Sequence, residues 1–405
     1  MAGPLKHVKV LDLSRVLAGP WAGQILADLG ADVLKVERPV HGDDTRSWGP
    51  PFLPNPDGKG RDAGYFLAAN RGKRSITVDI TTEAGQEIIR RLAAESDIVL
   101  ENYRLGALKR YGLDYDSLKA VNPRLIYCSI TGFGQTGPKA DLPAYDFMIQ
   151  AMGGLMSVTG EADGQPGGGP QKVGVPIVDL MTGVYAALAV LAALARREQD
   201  GQGDYIDVSM LDVMVGSLAN QATNYLMSGK VPVRAGNKHP NIQPQDVFRC
   251  RDGHLVLVVG NDGQFRKFAE VLGHPEWADD PVYATNGARV TNRDQLLAQT
   301  NAILETKDRQ EWERAFTEAG VPCSAINTVA DALNDEQIRS RGLVKDIQHP
   351  VAGAIKLVGS PLKFAEAVLD NQIAPPTLGQ HTREILTTLG YSQEEIAALN
   401  AQGAI

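Results

Sequence analysis

The stretch VKVLDLSRVLAGPWAGQILADLGADVLKVE, residues 8–37, decides the fold. Its first six residues, VKVLDL, are rich in apolar and β-branched side chains and read as a strand. PWAGQILADLG (20–30) reads as a helix and VLKVE (33–37) as the next strand. Strand, helix and strand joined by short connections imply a parallel pair crossed by a helix. The pattern continues outward. SITVDI (75–80) is strand-like, and TTEAGQEIIRRLAAES follows it with apolar residues at helical spacing. Thr82 is placed to cap that helix, and Glu83 and Glu87 favour its N-terminal end. DIVLEN (97–102) and RLIYCSI (124–130) supply two more strands. The expectation is an α/β fold, a parallel sheet with helices on both faces.

The pattern changes after a long helix at 179–197. A polar loop, REQDGQGD, leads into YIDVSM and then a second long helix, LDVMVGSLANQATNYLMSG. Beyond Lys230 the chain reads as a smaller α+β unit, with strand HLVLVVG (254–260) and helices that end at Gly320. From about 340 to 405 come short strands, a loop bearing Pro375 and Pro376, and two terminal helices. At 405 residues, two packed units are the expectation.

Composition narrows the function. A formal charge of −8 disfavours nucleic acid or a membrane surface as the main partner, while leaving room for a local basic pocket. Cys128, Cys250 and Cys323 are isolated and lack metal-ligand spacing, which fits a reduced, cytoplasmic protein without a metal. The opening MAGPLKHVKVLDLS has no basic region followed by an apolar block, so secretion is not expected. The uncharged run Leu180–Ala195 is short for a membrane span and is bracketed by Asp179 and Arg196, like a buried helix.

Three constellations carry possible chemistry. In GVPIVDLMTGVYAALAVLAALARR (174–197), Asp179 sits between a strand-like segment and an apolar helix. Two compatible readings stand: an N-cap, or a partly desolvated carboxylate nucleophile beside backbone N–H groups. GFGQTG (132–137) matches a dinucleotide fingerprint, yet Pro138 and Lys139 follow at once and no helix opens there. It reads as a glycine-rich turn, with Gly134 at its centre, that lets backbone approach a ligand; an NAD site is not expected. Arg15, Arg38, Lys73, Arg74, Arg104, Arg110 and Lys139 recur near strand ends. They are either solvated surface charges or a phosphate-holding set beyond the carboxyl ends of the strands.

Several blocks in order resemble the class III CoA-transferases, the CaiB–BaiF family, over essentially the whole length. They are VLDLSRVLAGPWAGQILADLGADVLKVER, NRGKRSITVDI, LIYCSITGFGQTGPKADLPAYD, GVPIVDLMTGVYA, GDYIDVSMLD and LGQHTREIL. The resemblance implies that Asp179, in the P-x-x-D-x-x-x-G block, is the nucleophile. It attacks an acyl-CoA thioester to give a mixed anhydride, and the released thiolate returns to form an aspartyl-CoA thioester. CoA contacts are implied around Arg15, Val16 and Ala18, at Arg38, at Lys73 and Arg74, at Arg104 and Arg110, and near Gly134, Lys139 and Tyr145. A Rossmann-like large domain (1–200), a linker helix (201–229), a small α+β domain (230–325) and a C-terminal segment returning to the large domain (326–405) are implied. So is a homodimer of interlocked rings.

Two competing readings follow. The α-methylacyl-CoA racemases are similar, but they place a histidine before the aspartate of the block that reads AYDF here. This chain has Tyr145 before Asp146. Lacking that imidazole, a two-base proton exchange loses one base, so transfer is favoured. A non-catalytic acyl-CoA-binding protein of the same fold is the other alternative. RAGNKHPNIQPQDVF (234–248) resembles relatives that use succinyl-CoA and dicarboxylic acids. His239 and Asn241 either meet a distal carboxylate there or build a turn on Gly236 and Pro240.

Overall fold

The computed structural model describes residues 3–54, 62–369 and 372–405. The chain divides into two compact units: Met1–Gly154 with Val173–Ala222 and Gln337–Ile405, and Leu155–Lys172 with Thr223–Glu336.

The first unit is built on six strands: β1 (Lys9–Asp12), β2 (Asp32–Glu37), β3 (Lys73–Thr77), β4 (Ile98–Glu101), β5 (Ile126–Thr131) and β6 (Asp204–Ser209). Its helices include α1 (Ala18–Asp28), α2 (Gly64–Ala69), α3 (Glu83–Ala94), α4 (Tyr115–Val121), α5 (Asp146–Met152), α7 (Ile177–Asp200), α8 (Met210–Gly216) and the C-terminal pair Thr382–Thr388 and Gln393–Ala401; α6 (Leu155–Val158) belongs to the second unit. The strands pair in the order β3-β2-β1-β4-β5-β6, every pair parallel. The order reverses between β1 and β4, which opens a crevice at their carboxyl ends, the usual ligand position in such sheets.

Alternation along the strands explains the two cores. Val10, Val33, Ile98 and Leu100 face one side and pack with Ala22 and Leu26 of α1 and Ala186 and Val190 of α7. Leu11, Leu34 and Val99 face the other, against Ile88 and Leu92 of α3 and against Ile385 and Leu399 near the C-terminus. Helix α7 is long and apolar enough to cross a membrane, yet it lies on this core, its small residues Gly183, Ala186 and Ala187 buried. At its far end Arg197 is buried and pairs with Asp97 at 2.8 Å. The closing segment lies along β3: His381 N–H donates to the Ser75 carbonyl at 2.9 Å. Thr77 N–H donates to Thr382 Oγ1 at 3.0 Å.

The second unit has its own three-stranded antiparallel sheet, Gln245–Cys250, Gly253–Val258 and Cys323–Ala325. Its core is aromatic, with Phe248, Phe265, Phe268, Trp312 and Phe316 fully buried or nearly so.

Two expectations about chain organisation change. Residues 201–229 are no single linking helix: they hold the sheet strand β6, then α8 and a separate helix, Ala219–Ser228. The break follows Ser217, whose hydroxyl donates to the Val213 carbonyl at 2.7 Å, and Ala219 takes a φ of 47°. Residues 155–172, expected in the large domain, fold into the second unit, and the later boundary falls after Glu336 rather than 325.

Candidate active site

Pro176 stands just before α7, where its missing N–H costs no helical hydrogen bond. It has no hydrogen-bonding side chain, so the first N–H groups of α7 need another acceptor. Asp146 of α5 provides it: Oδ2 accepts from Val178 N–H at 2.7 Å and from Asp179 N–H at 3.2 Å. Gln150 steadies this acceptor, donating to Asp146 Oδ1 at 2.6 Å while accepting from Val173 N–H at 2.9 Å. Asp179 is therefore the third residue of the helix and not its cap. Among the described residues its carboxylate has no hydrogen-bond donor or cationic partner.

That carboxylate opens onto a cleft of about 280 Å³ at the switch point of the sheet. Val16, Leu17 and Ala18 form one wall, Tyr103 and Arg104 a second, and Pro143 to Tyr145 a third. Burial first, and the neighbouring Asp146 charge second, push the Asp179 carboxyl up to about 7. Tyr65 of α2 senses the same charges: burial, then Asp179, then Asp146, raise its hydroxyl to about 12, so it stays protonated. The Tyr65 ring stands edge-on to Trp48, with centroids 5.2 Å apart.

The last residue of the P-x-x-D-x-x-x-G block has a packing reason. Gly183 lies one helical turn after Asp179, against α1, where an added Cβ would sit 2.7 Å from the Ala18 carbonyl oxygen. Glycine thus lets α7 approach the start of α1 and brings Asp179 beside the loop at Val16. In the same way Gly132 lets the wall at Ala144 close in, since a Cβ there would meet the Ala144 Cβ at 2.1 Å.

The other sequence-derived candidates divide into three groups. Arg15, Val16, Ala18, Arg104 and Tyr145 line the Asp179 cleft. Arg38 and Arg110 border an adjoining cleft that also touches Arg15; Arg38 pairs there with Asp44 at 2.8 Å, and the Arg110 guanidinium lies over the Tyr111 ring. Lys139 is an exposed loop residue outside the cleft wall, and Gly134, at φ 83°, turns toward Asp207 of β6.

Two expectations need correction. Lys73 is wholly buried: its ammonium reaches Asp12 at 2.9 Å and the Pro20 carbonyl at 2.8 Å, inside the core. Arg74 sits at the amino end of β3 and pairs with Asp32 at 2.6 Å, at the sheet edge opposite the cleft. His239 and Asn241, the candidate substrate contacts, take part in a turn of the second unit: His239 Nδ1 accepts from Asn241 N–H at 3.1 Å, and Asn241 Oδ1 accepts from Asn224.

Sequence reasoning missed Asp146 and Tyr65 as neighbours of the nucleophile candidate, and Trp48 as the ring against Tyr65. Only the four-residue spacing from Asp179 to Gly183 hinted at close helix packing.

Comparison with known proteins gives the family. A succinate–glutarate CoA-transferase of Agrobacterium fabrum is 46% identical over 390 residues, covering 95% of this chain and 96% of its own length. The human succinyl-CoA:glutarate CoA-transferase is 40% identical over 403 residues, covering 99% of this chain and 90% of its own. The crystal structure of a CaiB/BaiF family protein from Brucella suis superposes with a TM-score of 0.84 at 50% identity, covering 96% of this chain and 100% of that one. The model of CoA-transferase family III matches residues 5–382, and the chain belongs to that family of CoA-transferases.

Proposed function

We propose that the enzyme moves CoA from succinyl-CoA to a dicarboxylic acid, with Asp179 as the covalent carrier. The observation that carries the nucleophile assignment is the position of the Asp179 carboxylate. It faces an open cleft with no cationic partner among the described residues, while Asp146 performs the helix-capping role. A desolvated carboxylate is more nucleophilic than a solvated one, and the uncapped start of α1 lines the same cleft with backbone N–H groups suited to an oxyanion or thiolate.

The cycle balances without any other reagent. The ionised Asp179 attacks the thioester carbonyl, breaking the C–S bond and giving a mixed anhydride and CoA thiolate. The thiolate attacks the Asp179 carbonyl of the anhydride, releasing succinate and leaving an aspartyl-CoA thioester. The acceptor carboxylate repeats the first step on that thioester, and the thiolate then takes the acceptor acyl group and frees Asp179. Succinyl donors and dicarboxylate acceptors are named for the relatives, including the mesaconate enzyme of Haloarcula hispanica. Racemisation is the weaker reading, since no histidine lines the described cleft and Tyr145 precedes Asp146.

The working form in this reading is a cytoplasmic homodimer of interlocked rings. Supporting self-association, the first unit exposes the large apolar side chains of Phe147, Tyr185, Leu188 and Val215 at 45–60% of their surface. Asp179→Ala abolishes transfer from succinyl-CoA and leaves CoA binding largely intact. Retained turnover in that variant removes Asp179 from the mechanism.

A further inference from the structure

One wall of the cleft is a loop held in an unfavourable shape. Val16 has a φ of 69°, in the left-handed region, where a β-branched side chain collides with its own backbone. Such a conformation persists only where its surroundings impose it. Here the surroundings fix three successive residues. The Ser14 carbonyl accepts from Lys35 Nζ at 2.9 Å. Arg15 is clamped twice by Asn102, its N–H donating to Oδ1 at 2.8 Å and its carbonyl accepting from Nδ2 at 2.6 Å. Val16 N–H then points between the two Asp43 oxygens, at 3.4 and 3.3 Å.

Asp43 is itself immobilised. Its Oδ2 lies 2.8 Å from Lys35 Nζ, and neither side chain touches solvent. Its Oδ1 accepts from both the N–H and the hydroxyl of Thr45, at 3.0 and 2.7 Å. Although burial opposes ionisation, the Lys35 charge and the hydrogen bonds from Lys35 and Thr45 together outweigh it and hold the Asp43 carboxyl down at about 2. A permanently charged, buried pair thus grips the loop at two points, Ser14 through the lysine and Val16 through the aspartate.

We infer that Asp43, braced by Lys35, is a positioning residue that keeps Val16 left-handed, so that the backbone of Arg15–Ala18 is presented to the acyl-CoA in the Asp179 cleft. This rests on that cleft being where the thioester binds. Asp43 touches neither substrate nor Asp179 in this role; it acts through one peptide group. Val16 has no such anchor of its own, since its side chain favours the ordinary half of φ space.

The test is a double-variant cycle in the full chain: Asp43→Asn, Val16→Gly and both together. Kd for CoA is read by calorimetry, which needs no turnover, beside KM for succinyl-CoA and for the acceptor acid. Asp43→Asn weakens CoA about tenfold, the scale of one left-handed residue left unsupported, and shifts the acceptor KM by about twofold or less. In the Val16→Gly background, where a positive φ carries no steric cost, the same change weakens CoA about threefold or less. Equal losses in both backgrounds, or a folded Asp43→Asn that binds CoA as the wild type does, overturn the inference. Should Asp43→Asn not fold, the thermal midpoints of Val16→Gly and Val16→Ala carry the test. Glycine melts above alanine if the left-handed conformation is imposed, and the reverse order overturns it. Turnover retained in Asp179→Ala would remove the nucleophile and leave these CoA-binding comparisons readable.

Discussion

Replacing Asp179 by asparagine stabilises the protein at neutral pH, by an amount that depends on pH in a defined way. Burial and then the Asp146 charge hold the Asp179 carboxyl at about 7 against an ordinary 3.8. That separation corresponds to about 4 kcal/mol at 1.36 kcal/mol per unit. The side chain borders an open cleft, so solvent screening brings the expected effect to about 2 kcal/mol. The sign follows from which state holds the proton. The unfolded aspartate ionises as the pH passes about 4, whereas the folded one keeps its proton until about 7. The native wild type therefore loses stability as the pH rises through that window and keeps a constant deficit above it. Asparagine cannot ionise, so the advantage of the variant is absent below about pH 4, grows from about 4 to 7 and then levels. Urea unfolding of both proteins at about pH 4.5, 6 and 8, at one ionic strength, gives the difference directly. A difference that stays flat with pH, or an asparagine variant less stable than wild type at about pH 8, refutes the claim that Asp179 is held under electrostatic and desolvation stress.

Four further outcomes follow from the same geometry. Only ionised Asp179 attacks, so kcat/KM for the acyl-CoA rises about tenfold per pH unit below about 7 and flattens above it; a profile flat down to about pH 5 contradicts the raised carboxyl. Asp146→Asn keeps an acceptor for the start of α7 but removes a charge, so the midpoint of that profile moves to lower pH with little change in melting. Asp146→Ala removes acceptor and charge together, costs about 1 kcal/mol as a lost helix cap, and shows in the unfolding midpoint. Gly183→Ala drives a methyl group against the Ala18 carbonyl and costs about 1–3 kcal/mol with a fall in kcat/KM, whereas Gly216→Ala, with open space around it, stays within about 0.5 kcal/mol of wild type.

The sheet was legible because local signals and global topology agree in it. VKVLDL, VLKVE, SITVDI, DIVLEN and RLIYCSI each combine β-forming residues with a short connection to a helix, and all five lie in the parallel sheet. Asp179 was legible as a lone carboxylate at the mouth of an apolar helix, but its capping role was not separable from sequence. The acceptor that caps α7 is Asp146, 33 residues earlier, and nothing local connects the two. Lys73 misled for a related reason: a lysine at a strand end looks solvent-bound until Asp12, 61 residues away, is seen to neutralise it in the core. Arg74 shows that a basic residue near a strand means little without knowing which end of the strand it occupies. Residues 155–172 join the second unit although the chain on either side belongs to the first, and a linear sequence carries no marker of that excursion. Tyr65 and Trp48 sit on a short helix and its approach, outside any motif, and only folding brings Tyr65 within range of the Asp179 charge.

The most direct test of the covalent mechanism is mass spectrometry of the intact protein and its peptides after mixing with succinyl-CoA, with and without hydroxylamine. The account predicts an acyl or CoA adduct on the peptide that contains Asp179, converted to a hydroxamate at that residue by hydroxylamine. Turnover of succinyl-CoA with no adduct, or an adduct mapping to another residue, would contradict it.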